Sequence, residues 1–501
     1  MTPPLVLAWS CAFIGLLLIF GVEQLVRPKL TLPWRRPWSS FLLTSGLWLV
    51  LFALFAWGLG RPIFSTLILL ALWLLLVFAN NAKFEVLKEP FLFQDYDYIV
   101  DLFKHPRLFL PFFGIGRALL VVVGVAVAIG LGFGLEPSVT SSSHGLFNLG
   151  VMGMFGVFLL VAGHLMRPAI SVEPQIDVYN LGLVAFYWAY AIAQFSQKPP
   201  LLSPFAHSAL SGTPEPRPHV IAVQSESFFD PRLICPSIAK QLGSDFDEVL
   251  QQAFVFGEVE VPAWGANTVR SEFAFLTGVL PKSLGVHGFN PYRLISRRPE
   301  ASLVRRFKEQ GYRTVAIHPY PASFYARDRV YPLLGFDEFY DISAFDQATR
   351  FGPYVADHAL FQFVEQLIQE SPQPVFVFVV TMENHGPLHL EPISSHEMQA
   401  LFTELQPEQC RDLAIYLRHW RNAGAMAKNL MHLLTENAQR PGKLLWYGDH
   451  VPIMDTVYQH YGMPSGHTPF FVFDTKKMDQ SFRVDSKQKI FSVQELGHFL
   501  L

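Results

Sequence analysis

Charge is scarce in this chain and unevenly spread. Only 16% of its 501 residues are Asp, Glu, Lys or Arg, and the stretches 4–22, 39–60, 63–82, 118–135 and 146–163 contain none of them. Each stretch is near the ~20 residues that carry a helix across ~30 Å of hydrocarbon. Five such runs in series exclude a wholly soluble protein, and inside lipid only helices satisfy their own backbone over such short segments. Basic excess is missing too. Lys and Arg number 38 against 41 acids, a net charge of −3, so no cationic field points to nucleic acid. Cysteine is nearly absent: Cys11, Cys235 and Cys410 are the full set, and no CxxC metal motif exists. A Cys235–Cys410 disulfide is open in an oxidising compartment. The first apolar run has no positive segment before it and no small-residue cleavage site, so it reads as a retained span rather than a signal peptide. Internal repeats and low-complexity tracts are lacking.

Positive residues mark the cytoplasmic side of a membrane protein. Loop 27–38 holds Arg27, Lys29, Arg35 and Arg36 without an acid, loop 83–107 mixes four basic residues with five acids, and loop 136–145 has no Lys or Arg. This pattern puts the first two loops inside. Segment 178–195 is then either a sixth span or an aromatic-rich helix lying in the interface. A sixth span places the C-terminal half outside; five spans with the N-terminus inside would do the same but would break the charge rule, and the external placement is the expected one. The expected organisation is a polytopic transmembrane domain at 1–195 with five or six helices, a proline-rich linker at 196–218, and an extracytoplasmic domain at 219–501. The expected localisation is a bacterial inner or plasma membrane, multi-pass.

From His219 the pattern changes. Short β-branched and aromatic runs at 219–224, 254–261, 313–318, 374–380, 443–447 and 469–473 alternate with helical patterns at 301–310, 357–370 and 411–436. Such alternation predicts a mostly parallel sheet sandwiched by helices. Ligands of open α/β sheets bind beyond the carboxyl ends of the strands, and reactive side chains follow the predicted strands in that way: Glu226, His318, His385, and the pair Asp449 and His450. Glu226, Asp449 and His450 supply two carboxylates and an imidazole, a set suited to manganese or magnesium and open to zinc. Gly448 is expected to allow the tight turn that lets adjacent Asp and His share an ion. Thr268 begins a predicted helix at 269–276, where N–H groups and the helix dipole favour a phosphoryl group. Metal coordination makes its hydroxyl a competent nucleophile; the bland alternative is a helix cap. Arg327 is a candidate phosphate clamp, and His385 a donor of a proton to a leaving alkoxide. Tyr325, Phe324 and Trp264 are candidate walls for a small polyol.

The pieces VQSESF (223–228), GANTVRSEFAFLTG (265–278), FYARDRVYPLLGFDEFYD (324–341), TMENHGP (381–387), WYGDH (446–450) and NNAKFEVLKEPFLFQD (80–95) together resemble the lipoteichoic acid synthase and phosphoglycerol transferase family of the alkaline phosphatase/sulfatase superfamily. The resemblance implies an α/β domain of that superfamily. It implies one divalent metal, usually manganese, on Glu226, Thr268, Asp449 and His450, with Thr268 as nucleophile. It implies phosphoglycerol contacts from Arg327 and His385, with His318 and Tyr325 as a further wall. The implied reaction takes glycerol phosphate from phosphatidylglycerol through a phosphoglyceryl-threonine to a polyol or glycan acceptor. Sulfatases require Cys or Ser in a (C/S)-x-P-x-R setting; here Thr268 is followed by Arg270 where that motif has proline. A phosphoethanolamine transferase is the alternative, though those enzymes usually carry several disulfides. A sulfatase-like phosphodiesterase ranks below both.

Overall fold

The computed structural model describes residues 3–96, scattered positions between 116 and 136, and 143–196, 199–206, 216–295, 300–437, 439–477 and 490–501. The chain divides into two compact units, 1–198 and 199–501. In the first, α1 (Pro3–Val22), α2 (Trp38–Leu59), α3 (Pro62–Leu87) and α4 (Ser143–Leu165) form a bundle. All four are long and apolar enough to cross a membrane. The uncharged run 118–135 lies largely outside the described residues. The segment at 178–195 is broken at Gly182 into α5 (Pro174–Leu181) and α6 (Leu183–Ser196). At 14 residues, α6 is short of the length that crosses the hydrocarbon.

Small residues let α2 and α4 touch. A Cβ on Gly46 would lie 2.8 Å from the Gly156 carbonyl oxygen, and one on Gly156 would lie 2.9 Å from the Val50 amide nitrogen, the close backbone approach that stands in for the hydrophobic effect between helices in lipid. The motif 80–95 is a set of ties. Asn80 Nδ2 donates to the Arg27 carbonyl at 2.7 Å and Asn81 Nδ2 to that of Leu25 at 2.8 Å, so the loops after α1 and α3 share one end of the bundle. Lys83 is paired with Glu89 at 2.7 Å and Asp95 at 2.6 Å.

The second unit is built on an eight-stranded sheet with order β10-β2-β9-β8-β1-β7-β3-β4. Its strands are β1 (His219–Ser225), β2 (Val255–Glu260), β3 (Arg313–Ile317), β4 (Glu338–Tyr340), β7 (Val375–Val380), β8 (Gly442–Gly448), β9 (Thr468–Asp474) and β10 (Phe491–Ser492); β5 (Arg350–Phe351) and β6 (Tyr354–Val355) form a separate hairpin. The pairings of β8, β1, β7, β3 and β4 are parallel, and β9 runs against β8 and β2. All six predicted strands are present; β4, β10 and the hairpin are additions too short to announce themselves.

Both faces of the sheet are apolar because both are covered. Ile221, Val223, Val377, Val379 and Trp446 pack into one buried cluster with α10 (Asp357–Glu370) and α11 (Arg411–Glu436). Val220, Ala222, Phe376, Phe378 and Tyr447 pack into the other with α8 (Thr268–Thr277) and α9 (Arg327–Leu334). On the first face α7 (Ser244–Gln252) adds Phe246 and Val249. The start of the proline-rich stretch is not free chain: Phe205 is buried, and Ser203 Oγ donates to the Thr277 carbonyl at 2.6 Å.

Gly448 requires a different explanation from the expected one. Its φ is not in the left-handed region. Space is what demands glycine: an added Cβ would lie 2.1 Å from the Phe228 carbonyl oxygen and 2.9 Å from Thr468 Cβ. Gly448→Ala is therefore expected to lose about 1–3 kcal/mol, measured as a lowered unfolding midpoint, with Asp449 displaced.

Candidate active site

The site begins with strand register. β1 and β8 are parallel, and Ser225 sits opposite Gly448. The next residues on each strand, Glu226 and Asp449, therefore emerge side by side at the carboxyl edge. Asp449 N donates to the Ser225 carbonyl at 3.3 Å, extending the ladder one step. One ligand atom from each of Glu226, Asp449 and His450 falls within 4.8 Å of the others, and all three residues are buried. His450 Nε2 is 3.3 Å from Asp449 Oδ2 and 3.5 Å from Glu226 Oε1, yet Asp449 Oδ2 and His450 Nε2 lack hydrogen-bond partners. Buried polar atoms without partners are costly, and a cation between them satisfies both. His450 Nδ1 faces the Val451 carbonyl at 3.2 Å; a proton held there leaves Nε2 as a lone-pair donor. Burial first, and the neighbouring Glu226 charge second, push the Asp449 carboxyl up to about 7. Positive charge at this point would reverse that. The residues present thus fit a divalent cation.

Thr268 joins this group. Its Oγ1 donates to Glu226 Oε2 at 3.3 Å. The turn before it passes through two left-handed residues, Gly265 (φ 67) and Asn267 (φ 65). Asn267, not Thr268, holds the N-cap position and makes no side-chain cap bond. The threonine is the first residue of α8, with its hydroxyl directed at an acid and not at the backbone.

Supporting contacts hold the ligands. Ser227, itself left-handed at φ 49, donates from its amide to Asp449 Oδ1 at 2.8 Å and from its hydroxyl to Glu226 Oε1 at 2.9 Å. The Thr381 hydroxyl accepts from Glu226 N at 3.0 Å, and the Ser271 hydroxyl donates to the Asp449 carbonyl at 2.7 Å. Tyr416 on α11 accepts from Phe229 N at 2.8 Å and reaches the Ser227 carbonyl at 2.8 Å. Sequence inspection singles out none of Ser227, Thr381, Ser271 and Tyr416.

Arg327, the candidate clamp, is largely engaged by protein groups. Arg327 is not a free fork: Nε lies 3.1 Å and 3.2 Å from the Glu272 carboxylate oxygens, and Nη2 lies 2.7 Å from Oε2. Tyr331 donates to the same carboxylate at 2.7 Å, as does Tyr292. Only Nη1 is buried without a partner, leaving one donor for an anion. Arg327 also stacks over Tyr325 at 5.2 Å, whose backbone is held at φ 56. His318 shares this region. Burial, then the Arg327 charge, drives it well below the ordinary histidine range, so it is neutral, with Nδ1 facing the Val380 carbonyl at 3.1 Å. His385 Nδ1 lies 2.6 Å from the Gly386 carbonyl, which leaves Nε2 for proton exchange. The Trp264 ring meets Tyr458 edge-on at 6.2 Å. Tyr354 on β6 had no place among the expected residues. Its hydroxyl is 3.2 Å from His385 Nδ1, and burial, Tyr320 and Glu226 raise its pKa. The Gly352-Pro353 turn was the signal for that hairpin. Cys235 and Cys410 are both buried with free thiols.

The protein-family model described as Sulfatase matches residues 218–501. The chain belongs to the sulfatase family. This sulfatase-family protein is 28% identical over 431 residues to the capsular polysaccharide biosynthesis protein RkpI of Rhizobium meliloti (strain 1021), covering 79% of this chain and 74% of that one. It is 27% identical over 86 residues to lipoteichoic acid synthase 1 of Bacillus subtilis (strain 168), covering 17% of this chain and 14% of that one. Its structure is similar to that of the integral membrane protein lipooligosaccharide phosphoethanolamine transferase A from Neisseria meningitidis, with a TM-score of 0.56 and 13% identity over 91% of this chain and 86% of that one. At that identity the likeness speaks for fold. The expected architecture, apolar helices followed by an α/β domain of the alkaline phosphatase/sulfatase type, is the observed one.

The metal fit is directly measurable. The purified protein is expected to carry one tightly held divalent ion by elemental mass spectrometry, and Glu226→Ala or Asp449→Ala to release it. Adding ion at 100 times its Kd should stabilise the wild type by about 2.7 kcal/mol and leave both variants unmoved.

Proposed function

We propose that this protein is a membrane-anchored phosphoglycerol transferase. It moves glycerol phosphate from phosphatidylglycerol to an extracytoplasmic polyol or glycan acceptor through a phosphoglyceryl-threonine. The observation that carries the reading is the Thr268 hydroxyl at 3.3 Å from Glu226, beside a buried acid–imidazole pair whose facing atoms lack partners. The motifs resembling the lipoteichoic acid synthases support the donor, and a relative named for capsular polysaccharide biosynthesis supports a glycan acceptor. The four long apolar helices on the same chain keep the catalytic unit with a lipid donor.

Glu226, Thr268, Asp449 and His450 would hold the ion, for which manganese is the proposed identity. When bound, it supplies Lewis acidity that lowers the threonine pKa and offsets charge on the phosphoryl oxygens. The residues do the rest. Thr268 Oγ passes its proton toward Glu226 Oε2, the acceptor it already faces, and forms a bond to phosphorus as the bond to the diacylglycerol oxygen breaks; it recovers that proton when the second displacement releases it. Arg327 Nη1 donates to a phosphoryl oxygen. His385 Nε2 gives its proton to the departing alkoxide, so diacylglycerol leaves neutral. His385 then takes the proton of the acceptor hydroxyl as that oxygen attacks phosphorus and Thr268 is released. Neutral His318, Tyr325 and Trp264 complete the proposed polyol wall. Two displacements in series imply ping-pong kinetics.

Full-length protein supplied with headgroup-labelled phosphatidylglycerol and phosphatidylethanolamine in parallel is expected to show a glycerophosphate adduct on Thr268 by peptide mass spectrometry. Thr268→Ala should release no diacylglycerol. A phosphoethanolamine adduct would replace this reading with the alternative transferase, and undiminished turnover in Thr268→Ala would remove the nucleophile.

A further inference from the structure

We propose that His419, clamped between Glu383 and Glu391, is a positioning residue that fixes the turn carrying His385. The proposal rests on the reading of His385 as proton donor. β7 ends at Val380, and the chain then runs through Glu383 to His385 and on to Glu391. Glu383 is fully buried. Its Oε2 accepts from Asp357 N at 2.6 Å, and its Oε1 from Asn422 Nδ2 at 2.7 Å. His419, also fully buried on α11, places Nδ1 3.2 Å from Glu383 Oε1 and Nε2 3.0 Å from Glu391 Oε1. One ring therefore spans both ends of the 383–391 segment.

A neutral imidazole has one N–H, so both contacts are satisfied together only by the imidazolium. Burial acts against that charge, and the hydrogen bonds donated to Glu383 and Glu391 outweigh it, raising the His419 pKa. The other charged groups at this point include Arg418, whose Nη2 is 3.2 Å from Glu391 Oε2, Arg411, whose Nη2 is 3.4 Å from the Glu391 carbonyl, and Asp357, a buried carboxyl pushed upward by burial and by Glu383. A second contact supports the same role. The Phe351 ring meets His419 edge-on at 5.2 Å. Phe351 pairs with Tyr354 across the β5–β6 hairpin, and Tyr354 reaches His385 Nδ1 at 3.2 Å. His419 thus underlies both segments that touch His385. Because its folded pKa is raised above ~6.5, this support is complete below that value and is lost as pH rises through the raised one.

The test uses full-length His419→Gln and Glu391→Gln. In His419→Gln, hydrogen exchange across 381–391 is expected to quicken about tenfold, the loss of a hydrogen bond to a charged group. Exchange at 225–230 and bound metal should match the wild type. The kcat for diacylglycerol release should fall about tenfold with KM little changed, and the alkaline limb of the wild-type kcat profile should flatten. Glu391→Gln should show smaller shifts in the same direction, and it carries the test if His419→Gln does not fold. Unchanged exchange across 381–391 overturns the positioning role whatever the donor lipid. Faster exchange with undiminished kcat keeps the clamp but overturns the role of His385.

Discussion

Two carboxylates meet in a dry interior because β1 and β8 stop at the same level. Everything else at the site follows from that register. With Ser225 opposite Gly448, Glu226 and Asp449 cannot avoid one another, and neither can reach water. Such a pair is unfavourable without a counter-charge. The surrounding structure supplies hydrogen bonds to the outer oxygens through Ser227 and Thr268, while the atoms that face inward have no partner. The arrangement is a charge deficit with a shape. It suits an ion and, next to it, an alcohol made reactive by that ion.

Much of this was legible from residue order alone. Strands such as VFVFVV read as buried on both faces, and the reactive residues stood just after such runs, where an α/β sheet presents its ligands. Glu226, Asp449 and His450 are found that way and Thr268 from its place at the start of a predicted helix, and the structure gathers them. What escaped notice were partnerships. Nothing around Arg327 in sequence says that Glu272 occupies most of its guanidinium, because the two meet only when α8 and α9 pack on the same face. Tyr354 stood in a two-residue strand, too short to show a period. His419 lay inside a long helical pattern, where a buried histidine looks like any other core residue until its two partners are in view. Gly448 was noticed for the wrong reason: flexibility was expected, and a close carbonyl is what excludes a side chain.

The membrane half follows a simpler logic. Long uncharged runs became helices, and the polar motif at 80–95 became the ties that hold loop ends together. The run at 178–195 is interrupted. Gly182 breaks it, and a Cβ there would lie 2.1 Å from Arg36 Nη1, so the break makes room for the buried Arg36–Glu23 pair.

α8 carries the alcohol at its first position and Glu272 one turn later, so two tasks share one rigid rod. Residues four apart on a helix are ~6 Å apart along its axis. Tilting or sliding the rod would shift the Thr268 hydroxyl and the anchor of Arg327 by the same motion. Under the proposed transfer reaction, a different headgroup would be accommodated with less disturbance by the hairpin and the turn after β7, whose movement leaves that coupling intact.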